Sequence, residues 1–188
     1  PDGQRLTANR TIESFYKWSG GGRIPIFCDT TSCTHTLLFE TGGDILTPEN
    51  REKYKQLKIM DITQWLKEVV LPRIKVIRPK NRILLHPTSS CQIMGLTPVL
   101  LDIARKCARE VILPDNWGCC GASGDRGFIF PELSDSATRD ERDEIGHESF
   151  DGCYSLARTC EIAMQDHIEQ PYESIVYLVD ETIQDQGT

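Results

Sequence analysis

The sequence lacks three features that would place it in a broad class of proteins. No apolar run approaches the roughly 20 residues that a membrane-spanning helix needs. Lys and Arg number 21 against 28 Asp and Glu, so the formal charge is -7 and the excess of basic residues typical of nucleic-acid binding is missing. The N-terminal stretch PDGQRLTANRTIESF also lacks the basic, apolar and small-residue order of a secretory signal. These absences favour a small molecule or another protein as the partner.

Cysteine, in contrast, is plentiful, with eight residues in a chain of 188. A disulfide framework would require a small secreted domain, whereas this chain is long enough to bury a core without crosslinks. In a reducing cytoplasm, clustered thiols more often bind metal or carry out redox chemistry. The chain begins with Pro1 rather than Met, and we expect it to be a piece of a longer protein.

The pattern of apolar residues predicts an α/β fold. Short apolar runs predict buried strands at 23–29, 81–87, 110–115 and 174–180, and helical spacing predicts helices at 61–74, 97–110, 132–146 and 155–169. Strands that alternate with helices predict a parallel sheet with helices on both faces. The polar, turn-rich segment 41–55 is predicted to be an excursion from this core.

Most of the cysteines of interest follow the predicted strands. Cys33, Cys91 and the adjacent pair Cys119 and Cys120 each come shortly after a strand ends, and Cys160 lies near the start of a helix. In an open α/β sheet, ligands bind beyond the carboxyl ends of the strands, so separate loops bring these thiols to one edge. We therefore predict a metal site formed by Cys91, Cys119, Cys120 and Cys160, with Cys33 as a weaker candidate.

Two further features of this edge bear on the metal site. Gly118, Gly121 and Gly124 surround the cysteine pair, and we expect them to give an inorganic group the room it needs. His86 ends a predicted strand at the same edge and is a second weaker ligand candidate; the alternative is a histidine that bonds to the backbone.

The other three cysteines are predicted to be structural. Cys28 lies inside a predicted strand and Cys107 on the apolar stripe of a helix, where free cysteine behaves as a small hydrophobe. Cys153 fits no ligand spacing. A thiol redox catalyst remains a third hypothesis for Cys119 and Cys120, but adjacent cysteines form only a strained ring and the chain has no Cys-x-x-Cys motif.

Four segments carry a resemblance to a known family: HPTSSC, GCCGASGDRGFIFPELSDSATRD, CYSLARTCEIAM and YESIVYLVDE. They resemble the C-terminal cysteine-rich, CCG-type iron–sulfur domain of bacterial FAD-linked oxidases of the D-lactate and D-2-hydroxyglutarate dehydrogenase type. More distantly, they are similar to the iron–sulfur subunit of glycolate oxidase and to the cysteine-rich subunit of heterodisulfide reductase. The resemblance covers most of the chain and is densest from Arg82 to Glu181.

The family pattern has two repeats, each with one cysteine, then Cys-Cys-Gly, then a closing Cys-x-x-Cys. By this resemblance Cys91 opens the second repeat, Cys119 and Cys120 form its pair, Cys160 is its last cysteine, and Cys33 closes the first repeat. The resemblance thus implies one pseudo-duplicated domain over 1–188, in which 1–60 is the remainder of the first repeat and 61–188 is the second.

Two positions depart from the family pattern. Ala157 and Thr30 occupy the places where the two closing motifs would have their first cysteine. A five-thiolate site would therefore lack a ligand. Four thiolates still suffice for a [4Fe–4S] cluster or for tetrahedral zinc.

The resemblance implies an electron-transfer function. An FAD domain upstream in the same chain would oxidise a 2-hydroxy acid, and this domain would pass electrons to a quinone, a cytochrome or another acceptor protein. The isolated chain is expected to be inactive. We expect a cytoplasmic location, or a peripheral one at the inner membrane. The alternative is a zinc-stabilised Cys₄ structural or interaction module of the same oxidoreductase.

Overall fold

The computed structural model describes residues 2–183, which form two compact units that divide between Ile62 and Thr63. Both units contain parallel strands flanked by helices, so the predicted α/β class is confirmed. The division lies two residues beyond the repeat boundary expected at 60/61, and the duplication itself stays a prediction.

Unit 1 contains a two-stranded parallel sheet and three helices. Its elements are α1 Asp2–Trp18, β1 Ile26–Cys28, α2 Thr31–His35, a π-helical turn Thr36–Glu40, a 3₁₀ turn Gly43–Ile45, α3 Pro48–Gln56 and β2 Ile59–Asp61. The strand predicted at 23–29 is confirmed as the shorter β1. The segment 41–55, predicted to be a turn-rich excursion from the core, contains most of α3. Thr47 accepts a hydrogen bond from the backbone N–H of Asn50, and Pro48 occupies the first turn, so the local sequence favours a helix start here.

Unit 2 is built on a four-stranded sheet in which every pair is parallel. Its strands are β3 Lys80–Leu85, β4 Ala108–Ile112, β5 Gly152–Ser155 and β6 Tyr172–Ser174, in the spatial order β4-β3-β5-β6. The predicted strands at 81–87 and 110–115 are confirmed as β3 and β4 with small shifts at their ends. The sequence analysis did not predict β2, β5 or β6.

Helices connect and flank the parallel strands of unit 2. They are α4 Ile62–Trp65 at the unit boundary, α5 Ser89–Ile93, α6 Thr97–Cys107, α7 Arg126–Ile129, α8 Pro131–Ile145, α9 Arg158–Ile168 and α10 Ile175–Thr182. A π-helical turn Leu66–Val70 and a 3₁₀ turn Leu71–Arg73 follow α4, so the helix predicted at 61–74 is divided into three helical pieces. The predicted helices at 97–110, 132–146 and 155–169 are confirmed as α6, α8 and α9.

The prediction of a strand at 174–180 is wrong, because this segment is the helix α10. The hydroxyl of Ser174 accepts a hydrogen bond from the backbone N–H of Val176 and caps the helix. Ile175, Leu178 and Val179 lie at helical spacing and are buried. A short apolar run does not distinguish a buried strand from a buried helix, which explains the error.

The core of unit 2 lies on the sheet. Leu84, Cys153 and Tyr172 are register neighbours on β3, β5 and β6, and they form a buried cluster with Cys120 and Met164. Cys107 is fully buried as predicted, whereas Cys28 in unit 1 is only half-buried. Within residues 2–183, no helix combines the length and the apolar character needed to cross a membrane.

Candidate metal centre

The topology of unit 2 directs three cysteine-bearing connections to one edge of the sheet. From β3 the chain passes to β4 on one side and then returns to β5 on the other side. Strand order therefore reverses between β3 and β5, and the space beyond their carboxyl ends is the usual ligand position in open parallel sheets. Cys91 follows β3 in α5, Cys119 and Cys120 follow β4 in a loop, and Cys160 follows β5 in α9.

Two of these thiols are in direct contact. The Cys120 thiol donates to the Sγ of Cys160, and the two sulfur atoms are 2.8 Å apart. Cys120 is only 4% exposed and belongs to the core cluster, while Cys160 is half-buried and packs against it. The structure thus joins residues that are 40 positions apart in the sequence.

Cys119 continues this chain of thiols. It is exposed, and it hydrogen-bonds to Cys120 and to the side chain of Ser89, the first residue of α5. The backbone N–H of Gly121 also donates to the Sγ of Cys119, at 3.4 Å. Three of the four predicted ligands are therefore linked through pairwise contacts.

Contacts and burial together raise the pKa values of Cys119 and Cys120. The hydrogen bond that Cys119 donates to Cys120, together with burial, raises the pKa of Cys119 to about 12. The same bond lowers the pKa of Cys120, but the bond to Cys160 and burial outweigh it and raise that pKa to about 12. Both thiols are consequently protonated at neutral pH, and a metal ion would have to displace their protons.

Cys91, the fourth predicted ligand, is fully buried near the start of α5. Its backbone N–H donates to the hydroxyl of Thr88, the residue that caps this helix, at 3.2 Å, and its Sγ lies 3.9 Å from the hydroxyl of Thr97. Across the described residues, no three or more His, Cys, Asp or Glu side chains converge on a position for a metal ion. The thiols are in pairwise contact rather than arranged around a common point, and the four-ligand set stays a prediction.

The chemistry of the donors nevertheless fits a soft metal. Thiolate sulfur is the preferred ligand of zinc and of iron–sulfur clusters, and the structure already brings the buried Cys120 and the half-buried Cys160 into contact. Cys120 and Cys160 are thus the two donors that this edge brings into contact, with Cys119 beside Cys120 in the loop. All eight cysteines lie within the described residues, and none forms a disulfide there.

Gly121 has a role that differs from the one expected. Its φ is +71°, and a Cβ at this position would lie 2.6 Å from the carbonyl oxygen of Leu133 and 2.7 Å from the Cα of Ser134. The absence of a side chain therefore lets the cysteine loop lie against the start of α8. At Gly118 and Gly124 a Cβ would meet nothing within 4 Å.

His86 lies just beyond β3, where the sequence places it, and it has a partner that the sequence analysis missed. Its Nδ1 lies 2.9 and 3.1 Å from the two carboxylate oxygens of Glu141 in α8, and both side chains are almost wholly buried. The Nε2 of His86 has no hydrogen-bond partner among residues 2–183. Ser134, Thr138 and Ile145 share the buried face of α8 with Glu141. A carboxylate on such a stripe was the available sign that a buried partner exists.

Cys33 lies in unit 1 and is exposed on α2, close to Cys28 at the end of β1. Burial, and then the charge of Cys33, raise the pKa of Cys28.

The two positions that depart from the family pattern have the same place in their elements. Thr30 is the N-cap of α2 and Ala157 the N-cap of α9, both with extended backbone, and the cysteine follows three residues later.

Comparison with known proteins does not assign a family. No family model matches the chain, and no curated protein matches it.

Proposed function

We propose that this chain is a metal-binding electron-transfer domain of an FAD-linked 2-hydroxy-acid dehydrogenase. The observation that carries the proposal is the contact between the Cys120 and Cys160 thiols, at the sheet edge where parallel α/β folds bind ligands. The resemblance of the cysteine segments to the CCG-type domain supports the assignment to a redox protein.

The cluster of thiols stabilises the fold only weakly when no metal is bound. The neighbours of Cys119 and Cys120 raise the pKa values of these two thiols, so both stay protonated. Protonated thiols contribute little to stability as a group, since sulfur is a weak donor and a weak acceptor. A soft cation changes the balance, because it takes the thiolates as ligands and releases their protons. Metal binding therefore explains the clustering of thiols at a sheet edge better than packing does.

In this proposal Cys119, Cys120 and Cys160 hold the metal group, with Cys91 as the fourth ligand. A [4Fe–4S] cluster held there would accept and release single electrons. The protein supplies ligands, burial and a docking surface, while an FAD-bearing part of the same protein oxidises the hydroxy acid. A quinone, a cytochrome or another protein takes the electrons.

The test is the iron, zinc and acid-labile sulfide content of the anaerobically purified chain. We compare the wild type with Cys120→Ser and Cys160→Ser, which each remove one of the two thiols in contact. Cys107→Ser is the control, because Cys107 is buried on α6 and its side chain bonds to Thr182 instead. Circular dichroism of all variants checks that they fold.

About four irons and four sulfides per chain, lost in both ligand variants and kept in the control, support the proposal. One zinc without sulfide, lost in the same variants, supports the zinc-stabilised module and overturns the electron-transfer role. The ligand assignment is contradicted if the wild type contains no metal, or if all four proteins contain the same amount of metal. Turnover of D-lactate or D-2-hydroxyglutarate by this chain without a flavoprotein would contradict the assigned division of labour.

A further inference from the structure

An exposed apolar surface lies directly after the cysteine loop. It consists of Phe128 and Ile129 at the end of α7, Phe130, and Leu133 in the first turn of α8, and we call these residues the 128–133 patch. Their exposed fractions range from 44% for Leu133 to 64% for Ile129. Folded proteins seldom leave several large apolar side chains side by side in water, and such patches commonly mark the binding site of a partner.

A cavity of about 210 Å³ opens next to this patch, between the start of α8 and the middle of α9. Phe128 and Pro131 form an apolar wall, Ala163 lies on α9, and Ser134 and Asp166 bring polar groups. Because Phe128 belongs both to the patch and to the cavity, a single partner can cover the patch and insert one side chain into the cavity.

The hydroxyl of Ser134 points to a ligand in this cavity. Ser134 is 1% exposed, and its Oγ finds no hydrogen-bond partner in the described part of the chain. Thr138 bonds to the backbone carbonyl of Ser134 and leaves the hydroxyl unused. Gly127 keeps the space beside it open, since a Cβ there would lie 2.7 Å from the Oγ. A buried polar group without a partner is destabilising, and a ligand that bonds to it offsets that penalty.

The charges around the cavity favour a cation. Asp166 lines the cavity, and its carboxylate is in no ion pair within residues 2–183. Asp135, in contrast, is already paired with Arg142 at 2.9 Å. His167 also lines the cavity, and its Nδ1 lies 4.0 Å from Asp135. The carboxylate of Asp166 is thus the charge of this cavity that a partner can neutralise.

We propose that the 128–133 patch and its cavity are the docking surface for a partner protein that presents an arginine within an apolar face. The guanidinium would pair with Asp166 and donate to the hydroxyl of Ser134, while its aliphatic stem packs on Pro131 and its plane lies against Phe128. Apolar side chains around the arginine would cover the rest of the patch. Arginine and aromatic side chains are the usual anchors of protein interfaces. This proposal does not depend on whether the chain binds a metal.

The first test uses two small probes, N-acetyl-arginine amide and the neutral, nearly isosteric N-acetyl-citrulline amide. Titrated into the ¹⁵N-labelled chain, the arginine probe should shift the amide signals of Ala122, Gly127 and Ala163 and bind about fivefold more tightly than citrulline. Asp166→Asn should remove this difference. The matched control is Asp140→Asn, an exposed carboxylate on α8 that does not line the cavity.

The second test measures how much the 128–133 patch adds to binding. The tripeptide acetyl-Phe-Arg-Leu amide should bind about tenfold more tightly than the arginine probe, and Phe130→Ser should remove that gain. Equal binding of the arginine and citrulline probes, or shifts that miss the cavity, would overturn the proposal. Sedimentation of the chain provides a further check, because a dimer that Phe130→Ser dissociates would show that a second copy, not a basic partner, covers the patch.

Discussion

Replacing Glu141 by alanine should destabilise unit 2 strongly. Both carboxylate oxygens of Glu141 lie within 3.1 Å of the Nδ1 of His86, and the side chains of the pair are 2% and 1% exposed. The ring of His86 makes no other hydrogen bond among the described residues, because its Nε2 is unbonded. The substitution therefore leaves a buried imidazole with neither nitrogen hydrogen-bonded.

The expected loss in the free energy of unfolding follows from the burial of the pair. Removing one member of a buried hydrogen-bonded pair typically costs about 1 to 3 kcal/mol, because the remaining partner stays desolvated. Glu52→Ala in unit 1 is the matched control: Glu52 pairs with Lys55 at 2.6 Å, but both side chains are more than 60% exposed. Loss of such a surface pair should change the free energy of unfolding very little.

The assay is urea unfolding, followed by tryptophan fluorescence, to which Trp65 and Trp117 in unit 2 and Trp18 in unit 1 contribute. A double-mutant cycle with His86→Leu and Glu141→Leu separates the pair from the surrounding packing. The double variant should be more stable than Glu141→Leu alone, since it contains no unpaired imidazole. A cost below about 1 kcal/mol for Glu141→Ala, or additive effects in the cycle, would refute this reasoning.

Two further predictions concern local backbone interactions. Gly121→Ala should cost about 1 to 3 kcal/mol more than Gly124→Ala, because both have positive φ but only Gly121 is pressed against the carbonyl of Leu133. Equal urea midpoints for the two variants would contradict this. Asp151 accepts hydrogen bonds from two backbone N–H groups at the start of β3, which lowers its pKa. The stability it gives is present above the unfolded pKa and lost as pH falls through the folded one. The urea-midpoint gap between wild type and Asp151→Asn should thus shrink on acidification; a gap independent of pH would exclude this role.

The sequence predicts the central strand of the unit 2 sheet, because the apolar run of that strand is fully buried. The run Ile83, Leu84 and Leu85 is fully buried in a central parallel strand, and such strands are continuous apolar runs. The run at 174–180 has a similar apolar composition but is a helix, because Ser174 caps it and its buried residues lie at helical spacing. Composition alone did not separate these two cases.

The order of elements also predicts where the candidate site lies, but not its contacts. Because Cys91 follows β3 and the pair Cys119 and Cys120 follows β4, both predicted strands, the sequence places these thiols at the carboxyl edge of the sheet. Which thiols touch depends on the path of the loops, and the contact between Cys120 and Cys160 spans 40 positions. Glu141 was missed for the same reason, since its partner His86 lies 55 positions away.

The N-cap positions explain why a complete ligand set must draw on several loops. A side chain at the N-cap and one three residues later face each other across the first helical turn, as the reciprocal bonds of a capping box demonstrate. Cysteines at both places would present two thiols to one point. In α2 and α9 these N-caps are Thr30 and Ala157, so each helix offers a single thiol, Cys33 or Cys160. In unit 2 the second sulfur at this point is Cys120, from the loop after β4, and Gly121, which follows it, lets that loop pack against α8.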